Sequence, residues 1–243
     1  MMNAGGYSQG GYNQYGQGQG WQGAPQQGYA PQPPSQHYGS YNNQMQQSVF
    51  SINAWQAMSF TSENEFQAIF HNKMSKRYNA IQAQELYEIL NETPRIRNYY
   101  RISWSMELCK IMIAMLDRSR DGLMQFPEFQ ELLQCLVYWH QTFCQYDVDR
   151  SSFIEAHELG RVVEEKFGYR LSVQVKECLL KRYSRAMDDG RCLIAFDDFV
   201  ALCIRLRAYT EAFRQRDKLQ NGGYETGNTT FNYDDFLQCV MCL

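Results

Sequence analysis

Residues 117–128 read DRSRDGLMQFPE and residues 147–158 read DVDRSSFIEAHE. With Asp117 counted as position 1, side-chain oxygens fall at Ser119, Asp121 and Glu128, and a backbone carbonyl is available at Leu123. The second stretch supplies Asp147, Asp149, Ser151, the carbonyl of Phe153 and Glu158 at the same positions. A hard cation such as Ca2+ takes six to eight oxygens, and a loop of twelve residues that converges positions 1, 3, 5, 7 and 12 provides them. Gly122 stands at position 6, where the chain must turn sharply. Ser152 stands at that position in the other loop, at a cost of about 1 kcal/mol for a side chain at positive φ. Arg118 and Arg120 occupy positions 2 and 4, which point away from the cation. Both loops are therefore read as Ca2+ sites.

The loops belong to a repeat. An apolar anchor sits four residues before an acid, which is followed by Phe or Leu, at Ile81…Glu85-Leu86, Met124…Glu128-Phe129, Ile154…Glu158-Leu159, Ile194…Asp198-Phe199 and Phe231…Asp235-Phe236. The anchor matches the short strand of a helix-loop-helix calcium hand, and the acid opens its exit helix. Five hands is an odd number. Since hands pair through their short strands, one is left needing a partner. Apolar residues at helical spacing from Phe129 to Cys144 make one helix both the exit of the second hand and the incoming helix of the third. Residues 199 to about 213 join the fourth and fifth hands in the same way. The fold expected is all-α, five helix-loop-helix units in one domain over residues 59–243.

The other three loops read as scaffold. The first would offer Met74, Lys76 and Tyr78 to a cation, the fourth offers Met187 and Arg191 with the short Asp198 at position 12, and the fifth is too long between Asp217 and Asp235.

Residues 1–58 are rich in Gly, Gln, Tyr and Pro, and no charged residue precedes Glu63. Such a segment buries too little apolar surface to offset its ordering entropy, so disorder is expected, with Trp21 and the tyrosines as candidate contacts for a membrane or partner. A net charge of −3 and the lack of Arg in this segment argue against nucleic acid. The eight cysteines lie in apolar, helix-like stretches, as reduced, packed thiols do, and the start of the chain has no signal-peptide pattern. A cytoplasmic protein is expected. Cys239-Val-Met-Cys242 has redox spacing without the strand-to-helix context, and no His falls in a catalytic arrangement, so no enzymatic activity is expected.

The stretches MLDRSRDGLMQFPEF (115–129), FGYRLS (167–172), KRYS (181–184), AFDDFVALCIRLRAYTEAFRQRD (195–217) and YDDFLQCVM (233–241), with the Gly/Tyr-rich head, resemble the penta-EF-hand proteins in their sorcin and grancalcin branch. The calpain small subunit is a more distant likeness. The resemblance implies a calcium sensor that dimerises through its fifth hand, as a homodimer or with another penta-EF-hand chain. It also implies calcium-driven exposure of apolar surface, calcium-dependent protein targets, and calcium-dependent movement to membranes. A protease regulatory subunit and a calcium buffer are the alternatives. Met106, Met112 and Met115, and the indoles of Trp104 and Trp139, are candidates either for a target groove or for the core.

Overall fold

The computed structural model describes Val49 and residues 51–148, 150–167 and 171–241. The helices are α1 (Ala54–Ala57), α2 (Glu63–Lys73), α3 (Ala83–Glu92), α4 (Pro94–Tyr100), α5 (Met106–Leu116) and α6 (Phe126–Tyr146). After strand β1 (Phe153–Glu155) come α7 (Ala156–Phe167), α8 (Val173–Tyr183), the strands β2 (Arg185–Ala186) and β3 (Cys192–Ala195), α9 (Phe196–Gln220) and α10 (Tyr233–Met241). The two connecting helices expected from apolar spacing are present as α6 and α9, each longer than the periodic stretch that signalled it.

Local chemistry sets the helix starts. Ser62, Ser105 and Ser172 accept backbone N–H groups of the first turns of α2, α5 and α8, satisfying donors that have no partner within the helix. At α3 and α6 the start is a capping box, Gln82 with Glu85 and Gln125 with Glu128. Pro94 and Pro127 occupy the first turns of α4 and α6, where a missing N–H costs nothing.

The repeat anchors pair as their position in the hand requires. Ile81 and Met124 exchange both backbone hydrogen bonds, at 2.9 and 2.8 Å, tying the first hand to the second. Ile154 lies opposite Ile194 in the antiparallel pair β1–β3, tying the third to the fourth, and β2 adds to the other edge of β3. All four anchors are fully buried. Among the described residues no strand partner is recorded for Phe231 of the fifth hand.

One continuous core runs under these pairs. Phe66 and Phe70 of α2 meet Phe129 of α6 with centroids 5.8 and 5.3 Å apart, and Phe143 meets Phe196 and Phe199 of α9 at 5.3 and 5.5 Å. Each such ring contributes roughly 1.5–3 kcal/mol by leaving water. Trp104, Trp139 and Met112 are buried in this core, so they are packing residues rather than an open groove, whereas Met106 and Met115 are half-buried.

The N-terminal boundary needs correction. The segment assigned to disorder extended to residue 58, but Val49, Ala54 and Met58 are buried, α1 packs against α6, and Gln134 donates to the Ile52 carbonyl at 3.3 Å. Residues 1–48 lie outside the described residues. The thiols are a second correction: Cys109, Cys135 and Cys203 are buried, but Cys144, Cys178 and Cys192 are exposed and Cys239 is half-exposed, while Cys242 lies outside the described residues.

Candidate calcium sites

Asp117 ends α5 as its C-cap, donating its N–H to Ile113 at 2.8 Å, and the loop is folded back onto its carboxylate. Asp117 Oδ2 accepts the Gly122 N–H at 2.7 Å, and Oδ1 accepts the Ser119 hydroxyl at 3.0 Å and the Asp121 N–H at 3.3 Å. Asp121 in turn accepts the Leu123 N–H at 2.9 Å. Gly122 has φ +75°, and a Cβ there would meet nothing within 4 Å, so backbone conformation rather than space calls for glycine.

The second loop repeats this architecture. Asp147 caps α6, and its Oδ2 accepts the Ser152 N–H at 3.0 Å while Oδ1 accepts the Ser151 hydroxyl at 3.3 Å. The Ser151 hydroxyl also lies 3.4 Å from the Phe153 carbonyl. Ser152 adopts φ +68° despite its side chain, and Arg120 and Arg150 at position 4 have φ +59° and +56°. Positions 1, 3, 5 and 6 of the first loop, and positions 1, 5 and 6 of the second, are thus drawn together by hydrogen bonds. Asp149 lies outside the described residues.

The two acids at position 12 stand apart from these clusters. Glu128 Oε2 accepts the Gln125 N–H at 2.9 Å, closing the capping box of α6. Glu158 faces Arg161 at 3.8 Å, one helical turn on. Glu128 must therefore give up a cap of roughly 1 kcal/mol to reach a cation. The donor set fits Ca2+, being oxygen throughout, with carboxylates at the corner positions and a carbonyl at position 7.

The remaining loops hold their acids otherwise. In the first, the Ser75 N–H donates to Ala80 and the Asn79 N–H to Ser75, closing the backbone on itself, while Glu85 accepts the Gln82 N–H. In the fourth, Arg185 holds Asp198 at 2.7 Å and Asp197 at 3.0 Å. Beside them, Asp189 pairs with Arg191 at 2.7 Å.

In the fifth, Asp217 is completely buried and accepts four hydrogen bonds, from Asn221 Nδ2, Thr226 N, Thr226 Oγ1 and Gly227 N, at 2.6 to 2.9 Å. Burial pushes its pKa up, but these donors outweigh burial and hold it down at about 2. Spacing alone did not single out this residue, because its loop departs from the twelve-residue template. It also did not single out Glu131 on α6, which is buried between Arg118 and Arg207. The one local signal for Glu131 was an acid directly before the apolar pair Leu132-Leu133.

No family model matches the chain. It is similar to grancalcin of Mus musculus, 43% identical over 163 residues that cover 67% of this chain and 68% of grancalcin. It is similar also to human sorcin, 40% identical over 161 residues covering 66% of this chain and 75% of sorcin. The chain belongs to the penta-EF-hand family. Penta-EF-hand proteins are calcium-binding helix-loop-helix proteins, and the paired anchors above are the EF-hand strand pairs of this one. Calpain-A of Drosophila melanogaster is 32% identical over 135 residues, but these cover 15% of that protein. A solved structure of a homologue of programmed cell death 6 protein from Leishmania major Friedlin shares the fold, with a TM-score of 0.50 at 20% identity over 79% of this chain and 99% of that one. In EF-hand terms, the second and third hands carry oxygen at every ligand position, and the first, fourth and fifth do not.

Proposed function

We propose that this penta-EF-hand protein is a calcium sensor whose metal sites are the second and third hands. The ligands would be Asp117, Ser119, Asp121, the Leu123 carbonyl and Glu128 in one, and Asp147, Asp149, Ser151, the Phe153 carbonyl and Glu158 in the other. The observation that carries this reading is that the position-1 carboxylate accepts the position-6 N–H in both loops, at 2.7 and 3.0 Å, although one has glycine there and the other serine. Two different sequences are bent to the same ligand cradle.

Ca2+ supplies charge neutralisation and multidentate ligation when bound. The work of the chain is to move its position-12 acids. Bringing Glu128 from its N-cap into the loop swings the start of α6, and bringing Glu158 into its loop swings α7. Because α6 leaves the second loop and ends at Asp147 in the third, each event bears on the other. The proposed consequence is exposure of apolar surface that engages protein targets or a membrane, in a cytoplasmic protein that moves to membranes when calcium rises.

Dimerisation through the fifth hand belongs to the same proposal. Phe231 has no recorded strand partner among the described residues, and Tyr233, Phe236 and Met241 of α10 are exposed. No catalytic step is assigned to the chain.

Calorimetric Ca2+ titration of the full chain tests the metal assignment. Two sites are expected, with Glu128→Ala and Glu158→Ala each abolishing one. Binding that survives the double substitution would refute it. Native mass measurement of the same samples separates a homodimer from a chain that waits for a different partner.

A further inference from the structure

Glu131 lies one helical turn beyond Glu128 on α6, and a carboxylate so deep in a helical core needs partners. It has two, one from the Asp117–Glu128 loop and one from α9. Oε2 accepts Arg118 Nη2 at 2.7 Å, and Arg118 is position 2 of the Asp117–Glu128 loop, adjacent to Asp117. Oε1 accepts Arg207 Nη2 at 2.9 Å, and Arg207 lies midway along α9, the helix that continues into the fifth hand. Burial works against the charge on Glu131, but the two guanidiniums outweigh it and lower its pKa.

The Arg207 end is equally specific. Its Nη1 donates to Cys135 Sγ at 3.3 Å on α6 and lies 4.0 Å from Met115 Sδ on α5. One guanidinium therefore touches both helices of the second hand. The Arg118 side chain is 68% exposed and Arg207 19%, so the arm toward α9 is the dry and stiff one. Separately from the bridge, Ala114 of α5 and Asp117 and Arg120 of the adjoining loop line one cleft together with Leu219 of α9 and Phe231 and Asp235 of the fifth hand.

We propose that Glu131 is the positioning residue that transmits metal ligation at the second hand to α9 and so to the fifth hand. The inference rests on the reading of Asp117–Glu128 as a metal site. Helix α6 moves as a rigid element, so drawing Glu128 onto the cation displaces Glu131 with it, and the fork to Arg207 carries the displacement into α9. The connecting helix alone links the second hand to the third; this bridge links it to the fifth, 76 residues further along the chain.

The test is amide hydrogen exchange of the full chain with and without Ca2+, read over α9 and α10, with calorimetry on the same samples. In the wild type, Ca2+ is expected to change exchange along α9 on both sides of Arg207. In Glu131→Gln both sites should still fill while that response is lost. Because Glu131→Gln removes the countercharge of Arg207 while leaving its guanidinium, the double variant Glu131→Gln with Arg207→Gln is measured too, since it removes both charges together. If Glu131 served stability only, the calcium response of α9 would return with the stability of the double variant. A positioning role requires that it stay lost. A full-sized α9 response in the double variant, with both sites filled, overturns the inference, as does a wild-type α9 that ignores Ca2+. Failure of the metal assignment itself shows separately, as a missing second site in the wild-type titration.

Discussion

Removing the Asp217 carboxylate should unfasten the fifth hand. Its two oxygens receive two backbone N–H groups, one hydroxyl and one amide, all at 2.6 to 2.9 Å, and no part of the residue reaches solvent. In Asp217→Ala the Thr226 and Gly227 amides lose their acceptor, whereas Asn221 Nδ2 keeps the Asp217 and Asn228 carbonyls and Thr226 Oγ1 keeps the Asn228 carbonyl. At about 1–3 kcal/mol for each of the two orphaned amides, the loss is about 2–5 kcal/mol. Asp217→Asn keeps one oxygen for the two backbone amides but presents an NH2 to the other donors, and should cost about 1–2 kcal/mol. The damage should be local, because α10 has no buried side chain of its own among the described residues. Amide exchange at Thr226 and Gly227 is therefore the direct assay, with urea unfolding to report the global share.

The acid behaviour follows from the same contacts. The folded pKa of about 2 lies below the ordinary 3.8. The stabilisation is thus complete above 3.8 and is lost as pH falls through about 2, and the Asn variant should lack that loss. Protection at Thr226 and Gly227 unchanged within about 0.5 kcal/mol in Asp217→Ala would refute the reasoning, since these amides lose the carboxylate that accepts them both.

Two further outcomes can be measured by denaturant unfolding. Met58→Ala, in the stretch just before α2, should destabilise the domain by about 2–4 kcal/mol because Met58 is buried in the shared core; a neutral effect would return that stretch to the disordered head. His140 is half-buried among Tyr99, Tyr100 and Phe196, and desolvation, with Arg101 nearby, lowers its pKa from 6.5 to about 4. The unfolded chain takes up this proton near 6.5 and the folded chain only near 4, so stability should fall as pH drops across that window, and His140→Phe, which keeps the ring packing, should flatten the fall. An identical pH slope in that variant would count against a neutral imidazole held in this aromatic cluster.

The parts of this molecule that were legible in its sequence are those written at short range. A calcium loop spans twelve residues, so Asp117–Glu128 and Asp147–Glu158 could be aligned by counting. The anchor at position 8 then located the contacts between Ile81 and Met124 and between Ile154 and Ile194. The helical period likewise located α6 and α9. The boundary at residue 58 misled because charge is absent up to Glu63, but Gly and Tyr already stop at Tyr41, and a few apolar side chains beyond them, Val49, Ile52, Ala54 and Met58, suffice to dock α1. The fifth loop was read as inert because its spacing fits no metal template. Spacing says nothing of a carboxylate whose ligands are the loop's own amides.

Glu131 shows most clearly why the remainder could not be read. By local pattern it is a misplaced charge in an apolar stretch, and only the fold brings Arg118 from 13 residues upstream and Arg207 from 76 residues downstream to meet it. Ligands for a metal must be local, because a loop has to close around the ion before the rest of the chain responds. A group that reports occupancy must do the opposite and reach beyond its own hand. Templates built on ligand spacing therefore nominate the loops proposed to bind calcium, whereas a residue such as Glu131, proposed to carry the signal onward, comes into view only when the packing of α6 against α9 is known.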